Sequence, residues 1–205
     1  MKKNINFGNY LKKIKRRSFV CGLKSTKMSS NEKRFLLKYK PWGIILFSRN
    51  IKNINQTRML TDSIKTLFKD KNYPVLIDEE GGRVSRIRKI FNTSLFSAKF
   101  FGDLYTKNKS EFKVYLYSYV NQISYLLKLM GINMNTVPVL DLLIKNKSNI
   151  IGDRSYSRDP KIVSIIGDTV IELFHKNKII TVMKHIPGHG LANVDSHFRL
   201  PKINK

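Results

Sequence analysis

The residues best suited to chemistry lie in one short segment around position 190. Lys184 and His185 precede a Gly-His-Gly turn at 188–190, and Asp195 and His197 follow it. Glycine adopts positive φ without a steric penalty, so this turn can bend sharply and aim several polar side chains at one point. Asp195 can hold the His197 ring in one tautomer and raise its proton affinity, as a proton-transferring histidine requires. The segment predicts an active-site loop in which His197 is a general acid/base.

Two other interpretations of these histidines stay open from the sequence. His185, His189 and His197 with Asp195 could form a zinc site, because the spacing of the first two matches helical zinc motifs. Pro187 lies between them, however, so the segment is not expected to be helical and the rings would not share a face. His197 could also be an ordinary surface histidine. The spacing favours acid/base chemistry and predicts no metal and no cofactor.

Polar residues also follow other predicted strands at the points where those strands end. An apolar run at 75–77 leads into the segment 78–83 (Asp-Glu-Glu-Gly-Gly-Arg), with Arg86 shortly after it. The next predicted strand leads into Asp141 and then into Asp153-Arg154. The C-terminal ends of parallel strands form the functional face of α/β folds. The sequence therefore predicts one shared site at that face.

Each of these polar groups has a structural alternative. Residues 78–80 could be a solvated acidic turn, Arg86 and Arg88 could be surface charges, and Asp153 could pair with Arg154 to support a loop. Three carboxylates at the end of a buried strand are unusual in a chain this basic. They favour a functional site over a surface turn.

Apolar periodicity predicts how the chain places these residues. Five strands are expected at 18–23, 44–47, 75–77, 132–139 and 179–183, separated by helices. The helices are expected to begin at the Ser29–Glu32 capping box, at Asn55, at residue 111 and at Asp159-Pro160, with a loop at 83–110 and Gly131 ending the long helix 111–130. Strands that alternate with helices predict a parallel sheet. Five such units suit either an open doubly wound sheet or the first part of a (β/α)8 barrel, which typically needs about 250 residues.

Composition limits the class of protein. The 205 residues carry 39 Lys+Arg against 14 Asp+Glu, a formal net charge of +25. Basic charge without a reading motif supplies only sequence-independent attraction, so no specific nucleic acid is expected as a partner. The densest basic cluster predicts an N-terminal extension over 1–17, followed by one domain over 18–205. Cys21 is the sole cysteine, and no apolar run approaches the ~20 residues that span a bilayer, so we expect a cytoplasmic protein without a membrane partner.

Taken together, the motifs resemble the bacterial β-N-acetylglucosaminidases of glycoside hydrolase family 3, the cytoplasmic enzymes of peptidoglycan recycling. The likeness runs from about residue 18 to the end, in the order the family has. It rests on segments 42–50 (WGIILFSRN), 77–86 (IDEEGGRVSR), 131–141 (GINMNTVPVLD), 151–160 (IGDRSYSRDP), 184–190 (KHIPGHG) and 195–201 (DSHFRLP).

This resemblance implies an α/β fold of the (β/α)8 TIM-barrel type, incomplete, with about the first five βα units. It implies hydrolysis, with retention, of terminal β-linked N-acetylglucosamine on a muropeptide. His197 would be the acid/base, assisted by Asp195, and this dyad replaces the carboxylic acid more usual in retaining glycosidases. The residues that the resemblance assigns to sugar binding are Asp78, Arg86, Arg154, Lys184 and His185.

The sequence departs from the family pattern at two places. Glu79 stands where glutamine is common. The family's nucleophilic Asp follows a later strand than those found here, so the nucleophile is expected to be absent from this chain. Without it no covalent glycosyl-enzyme forms. The expected partners therefore include a complementing C-terminal fragment, and the alternative is a catalytically inactive sugar-binding remnant.

Overall fold

Five short parallel strands form the centre of the fold in a computed structural model that describes residues 16–144, 150–192, 194–195 and 197–202. The strands are β1 (Arg17–Gly22), β2 (Pro41–Leu46), β3 (Val75–Ile77), β4 (Met134–Asn135) and β5 (Ile180–Thr181). Each strand pairs in parallel with the next, in the order β1-β2-β3-β4-β5. A doubly wound sheet would reverse its strand order at a switch point, whereas a barrel adds strands in one direction. The sheet therefore confirms the incomplete barrel and excludes the doubly wound alternative.

Five α-helices connect the described strands. They are α1 (Ser30–Tyr39), α2 (Ile54–Leu67), α3 (Ala98–Lys107), α4 (Lys109–Leu129) and α5 (Pro160–Lys176). The capping box of α1 and the Asp159 cap of α5 are both present, as predicted. The predicted cap of α2 is wrong: Asn53 has the extended backbone of a cap and its side chain accepts from the Gln56 amide, whereas Asn55 lies inside the first turn.

Helix α3 lies in the region 83–110 that the sequence predicted to be a loop. Ser97 caps it by accepting a hydrogen bond from the Phe100 amide. Phe101 then packs beside Tyr119 of α4, with ring centroids 5.2 Å apart. Burial of these aromatic rings against another helix stabilises α3, and a single short segment does not reveal that contact. On α4, Phe112 and Leu116 are buried, whereas Tyr115 is 49% exposed.

The last two strands are shorter than predicted. Pro138 has no amide proton to donate to a sheet, and the regular pairing of β4 ends before it. Pairing returns once beyond the strands, as an isolated parallel bridge between Val139 and Lys184. This bridge joins the exits of β4 and β5, the edge at which the predicted site residues lie.

The apolar core fills the space between the sheet and its helices. Ile44, Ile64, Ile77, Ile123 and Ile166 each have 0% exposure. Pairing of β1 with β2 begins at Arg17, while residues 1–15 of the predicted basic extension lie outside the described part of the chain. Within the described ranges no helix is both long enough and apolar enough to cross a bilayer.

Candidate functional site

Asp78 leaves the end of β3 and meets groups from three other segments. Its Oδ1 lies 3.1 Å from Lys184 Nζ and also accepts a hydrogen bond from the Thr136 hydroxyl. Its Oδ2 lies 3.4 Å from Arg86 Nη2. Burial alone would raise the pKa of Asp78, but Lys184 and these hydrogen bonds hold the pKa below its ordinary value. Asp78 is therefore ionised at neutral pH, and among the described residues its Oδ2 has one contact, the long one to Arg86.

Glu80 lies deeper and binds two of the cations. Arg154 approaches it with both Nε and Nη2, at 2.7 and 2.9 Å, and Lys184 Nζ lies 2.6 Å from Oε1. This bidentate geometry is the strongest that arginine offers a carboxylate. Burial opposes ionisation of Glu80, but Arg154 and Lys184 lower its pKa overall. Glu80 thus fixes the two cations beside Asp78.

Lys184 lies at the centre of this cluster. Its ammonium group contacts the Asp78 and Glu80 carboxylates and the Thr136 hydroxyl. The backbone on both sides is fixed, because Lys184 N donates to Pro138 O and Lys184 O accepts from Leu140 N. The bridge between the exits of β4 and β5 therefore determines where the cation lies.

Arg86, Asp153 and Arg154 could each have had a purely structural role, as a surface charge or as a support pair. Asp153 pairs with Arg83 at 2.7 Å and Arg154 pairs with Glu80, so the alternative of an Asp153–Arg154 support pair is wrong. Arg86 is partly buried beside Asp78, and its Nε is buried without a hydrogen-bond partner among the described residues. The structure therefore brings together Asp78, Arg86, Arg154 and Lys184.

Glu79 points away from this cluster and is 1% exposed. Its Oε2 accepts hydrogen bonds from the amides of Arg86 and Ile87 and from the Ser85 hydroxyl, and its Oε1 accepts from the Thr93 hydroxyl. No cation contacts the carboxylate in the described part of the chain, and burial raises its pKa. Glu79 thus holds the backbone that carries Arg86.

Glu79→Gln is expected to raise the unfolding free energy at pH 7 by on the order of 1 kcal/mol, because it removes an unpaired buried charge and preserves shape. The glutamine oxygen replaces Oε2, and its amide donates to Thr93. Since folding raises the pKa of Glu79, the wild type loses stability as pH rises above the ordinary value of 4.5. The gain from the variant should therefore disappear in acid. Urea titrations between pH 4 and pH 8 measure it.

Glu32→Gln is the matched control. Partial burial opposes ionisation of Glu32, but backbone amides of Lys24 and Ser29 donate to it and lower its pKa. Its substitution should lower stability or leave it unchanged at pH 7. If Glu79→Gln and Glu32→Gln changed the unfolding free energy equally, Glu79 would not carry a buried charge without a cationic partner.

Asp141 connects the exit of β4 to the loop after Lys184. It is 3% exposed. Its Oδ2 lies 2.6 Å from His185 Nδ1 and 3.2 Å from the His185 amide, and its Oδ1 accepts from the His189 amide. The rings of His185 and His189 lie 5.9 Å apart between centroids. In the described part of the chain no group of three His, Cys, Asp or Glu side chains has metal-binding geometry.

His197 and Asp195 form a second histidine–carboxylate pair, close to the surface. Asp195 Oδ1 accepts from the His197 amide at 2.9 Å and lies 2.6 Å from His197 Nδ1. These hydrogen bonds, the backbone one foremost, lower the pKa of Asp195. The His197 side chain is 84% exposed. Among the described residues its side chain hydrogen-bonds to Asp195 alone, so the structure forms the predicted pair without bringing it into the cluster around Lys184.

Sequence reasoning identified five residues for sugar binding but left out their partners. Glu80, Thr136 and Asp141 contact those residues directly. Asp141 and Glu80 carry a sequence signal, since each acidic side chain follows a predicted strand, but Thr136 carries none. The cluster mixes carboxylates with cations and can donate to and accept from a ring of hydroxyls, as a sugar requires.

Comparison with known proteins shows the family to which the chain belongs. Residues 10–205 match the family model described as "Glycosyl hydrolase family 3 N terminal domain". The "Beta-hexosaminidase" of Neisseria meningitidis serogroup B is 33% identical over 190 residues, which cover 92% of this chain and 52% of the relative. The "Beta-hexosaminidase A" of Pseudoalteromonas piscicida is 29% identical over 204 residues, covering 98% of this chain and 34% of the relative.

Solved structures show the same likeness. The crystal structure of native NagZ from Neisseria gonorrhoeae superposes with a TM-score of 0.81 at 32% identity, over 91% of this chain and 54% of that one. A complex of that NagZ with N-trifluoroacetyl-D-glucosamine gives a TM-score of 0.80 at 31% identity, over 91% of this chain and 54% of that one. The chain thus spans about half the length of these solved proteins, and between a third and a half of the curated relatives named above.

Proposed function

Because this chain belongs to glycosyl hydrolase family 3, we propose that it binds a terminal β-linked N-acetylglucosamine unit and takes part in its hydrolysis with retention. The observation that supports this most directly is the cluster around Lys184, in which Asp78, Glu80 and Thr136 surround one ammonium group. The relatives are named beta-hexosaminidases, and one NagZ complex contains N-trifluoroacetyl-D-glucosamine. The proposed natural substrate is a muropeptide, handled in the cytoplasm.

The sugar-binding residues in this proposal are Asp78, Arg86, Arg154, Lys184 and His185. The Oδ2 atom of Asp78 accepts from a sugar hydroxyl, because the one contact that it makes with the described part of the chain, to Arg86, is long. Arg86 donates in return through its guanidinium group. Glu80 and Thr136 position the cations and are not expected to touch the sugar. Charge-assisted hydrogen bonds of this kind are strong and directional, which suits a ring whose hydroxyls point in fixed directions.

His197 is the proposed general acid/base. Its Nδ1 lies 2.6 Å from Asp195, so Nε2 is the nitrogen that exchanges a proton with the glycosidic oxygen and then with water. A retaining reaction also needs a carboxylate nucleophile. The family places that Asp after a later strand than β5, so the proposed source is a complementing polypeptide segment that carries the remaining βα units.

A second candidate function is sugar binding without hydrolysis. The observation that favours it is the contrast between the two halves of the site. The cluster around Lys184 is assembled and largely buried, whereas His197 is 84% exposed. The two candidates agree on the sugar and differ only in whether the glycosidic bond is broken.

His197→Ala separates these candidates. We expect the variant to bind N-acetylglucosamine as the 205-residue wild type does, since His197 does not touch the cluster in the described residues. When each is co-expressed with a chain that supplies the later βα units, the variant should hydrolyse a chromogenic β-N-acetylglucosaminide at least about 100-fold more slowly, the usual contribution of a general acid/base. Calorimetry measures binding, and absorbance measures turnover.

Three results of this experiment would be informative. Binding with no turnover by the complemented wild type would favour the second candidate. Equal turnover by wild type and variant would contradict the acid/base role of His197. Failure of the folded wild type to bind N-acetylglucosamine would contradict both candidates.

A further inference from the structure

Three nitrogen atoms from one loop converge on the side chain of Asp141. They are the amide of His185, the Nδ1 of the same residue and the amide of His189. Asp141 follows β4, whereas both histidines follow β5, so this single carboxylate joins two segments that are far apart in sequence. Its side chain has 0% exposure.

From this geometry we infer that Asp141 is a positioning residue, which fixes His185 in its Nδ1–H tautomer and so presents Nε2 to the bound sugar. The inference rests on the proposed function, because it assigns a role to His185 within that binding site. Asp141 itself is not expected to touch the ligand. Neither the sequence motifs nor the comparisons assign it a role.

The tautomer follows from the chemistry of the acceptor. An ionised carboxylate accepts hydrogen bonds and donates none. Burial opposes ionisation of Asp141, but the hydrogen bond from His185 and those from the loop amides keep its pKa below the ordinary value. The nitrogen 2.6 Å from this carboxylate must therefore carry the proton. In a neutral imidazole the other nitrogen, Nε2, is then a bare acceptor.

An unprotonated Nε2 on His185 supplies the hydrogen-bond acceptor that the neighbouring Lys184 lacks. Lys184 precedes His185, and its ammonium group donates hydrogen bonds but accepts none. An acceptor from His185 lets the loop take a hydroxyl proton, while Arg86 and Arg154 supply donors. The same carboxylate holds the His185 amide, so it fixes both the position of the ring and its protonation pattern. Carboxylates that accept a hydrogen bond from the far ring nitrogen of a metal-binding histidine fix its orientation and tautomer in the same way.

The first test measures the tautomer of His185 in the wild-type protein. In the full chain with 15N-labelled histidine, long-range 1H–15N spectra at pH 8 report which ring nitrogen carries the proton. We expect His185 to show a protonated Nδ1 and an unprotonated Nε2, with the peaks assigned by His185→Gln. A predominantly Nε2–H tautomer at His185 would overturn the inference, whether or not the protein binds sugar.

Substitution of Asp141 supplies the second test. Asp141→Ala should shift His185 towards the Nε2–H tautomer. It should also weaken N-acetylglucosamine binding about tenfold, the smaller of the losses seen when the carboxylate behind a ligating histidine is removed. Asp141→Asn should restore the wild-type tautomer and part of the affinity, because its one amide oxygen can face both His185 donors. Thermal unfolding of each variant checks that it is folded. An unchanged tautomer and unchanged affinity in folded Asp141→Ala would overturn the inference.

Asp195→Ala is the matched control, since Asp195 contacts His197 with the same 2.6 Å separation from Nδ1. It should change the spectrum of His197 and leave that of His185 as it was. A change at His185 in this variant would mean that the tautomer responds to general disturbance of the loop, which would overturn the assignment to Asp141. If the tautomers behave as expected but no variant or wild type binds sugar, the proposed function fails while the assignment to Asp141 stands.

Discussion

Lys184→Met is expected to lower the unfolding free energy by about 3 kcal/mol at pH 7, the cost of breaking a buried ion pair. The ammonium group is 2.6 Å from Glu80 and 3.1 Å from Asp78, and it is mostly buried. Methionine fills a similar volume but leaves Asp78 with one weak cationic contact, to Arg86. The same change should abolish measurable N-acetylglucosamine binding, since it removes the group that organises the site.

The effect of Lys184→Met should depend on pH with a definite sign. Lys184 is foremost among the groups that lower the pKa of Asp78 against burial, so the folded pKa lies below the unfolded one. Such a group contributes stability that is present above the unfolded pKa and lost as pH falls through the folded pKa. The difference in unfolding free energy between wild type and variant should therefore be largest at pH 7 and should shrink below about pH 4.

Lys99→Met is the control for this experiment. Lys99 forms an ion pair with Asp103 along α3 at 2.5 Å, with both side chains about half exposed or more. Exposed pairs of this type contribute about 0.5 kcal/mol or less. Urea unfolding of both variants from pH 3 to pH 8 measures the contrast. Similar losses of unfolding free energy in Lys99→Met and Lys184→Met would show that the ion pairs of the cluster are no stronger than an exposed surface pair.

Local signals explain which parts of the fold could be predicted. The α1 capping box needs only Ser29 and Glu32, and the α5 cap needs only Asp159 beside Pro160, so neighbouring residues carry the information. The buried run 75–77 is apolar at every position, as expected in the interior of a parallel sheet. The convergence of Asp78, Arg154 and Lys184 was predictable because strand order alone brings the strand exits together.

Long-range contacts explain the parts that could not be predicted. Helix α3 depends on aromatic packing against Tyr119 of α4, and the residues of α3 alone do not reveal that contact. Asp141 was visible as a polar residue after a strand, but its partner His185 lies 44 positions away. Glu80 was visible in the same way, and its partner Arg154 lies 74 positions away. Sequence patterns reveal that such residues are polar and where their strand ends, but tertiary contacts select their partners.

The predicted site therefore depends on α3, the helix that the sequence did not reveal. Gly102 in α3 lies directly against the backbone of Tyr156, which follows Arg154 by two residues. A Cβ at Gly102 would come within 1.6 Å of the Tyr156 carbonyl oxygen. Backbone cannot rotate aside as a flexible side chain does, so helix and loop must separate. That separation would draw Arg154 away from Glu80.

Gly102→Ala is accordingly expected to destabilise the protein by about 3 kcal/mol, at the upper end of overpacking effects, although alanine favours helices. N-acetylglucosamine affinity should fall together with this stability.

Gly167→Ala in α5 is the control, because its Cβ would meet the tip of the Leu140 side chain at 2.7 Å, and that tip can move. The cost there should be offset by the gain of about 1 kcal/mol in helix propensity. Thermal and urea unfolding of the pair measure the difference, and equal stability of the two variants would contradict the close contact between α3 and the segment that carries Arg154.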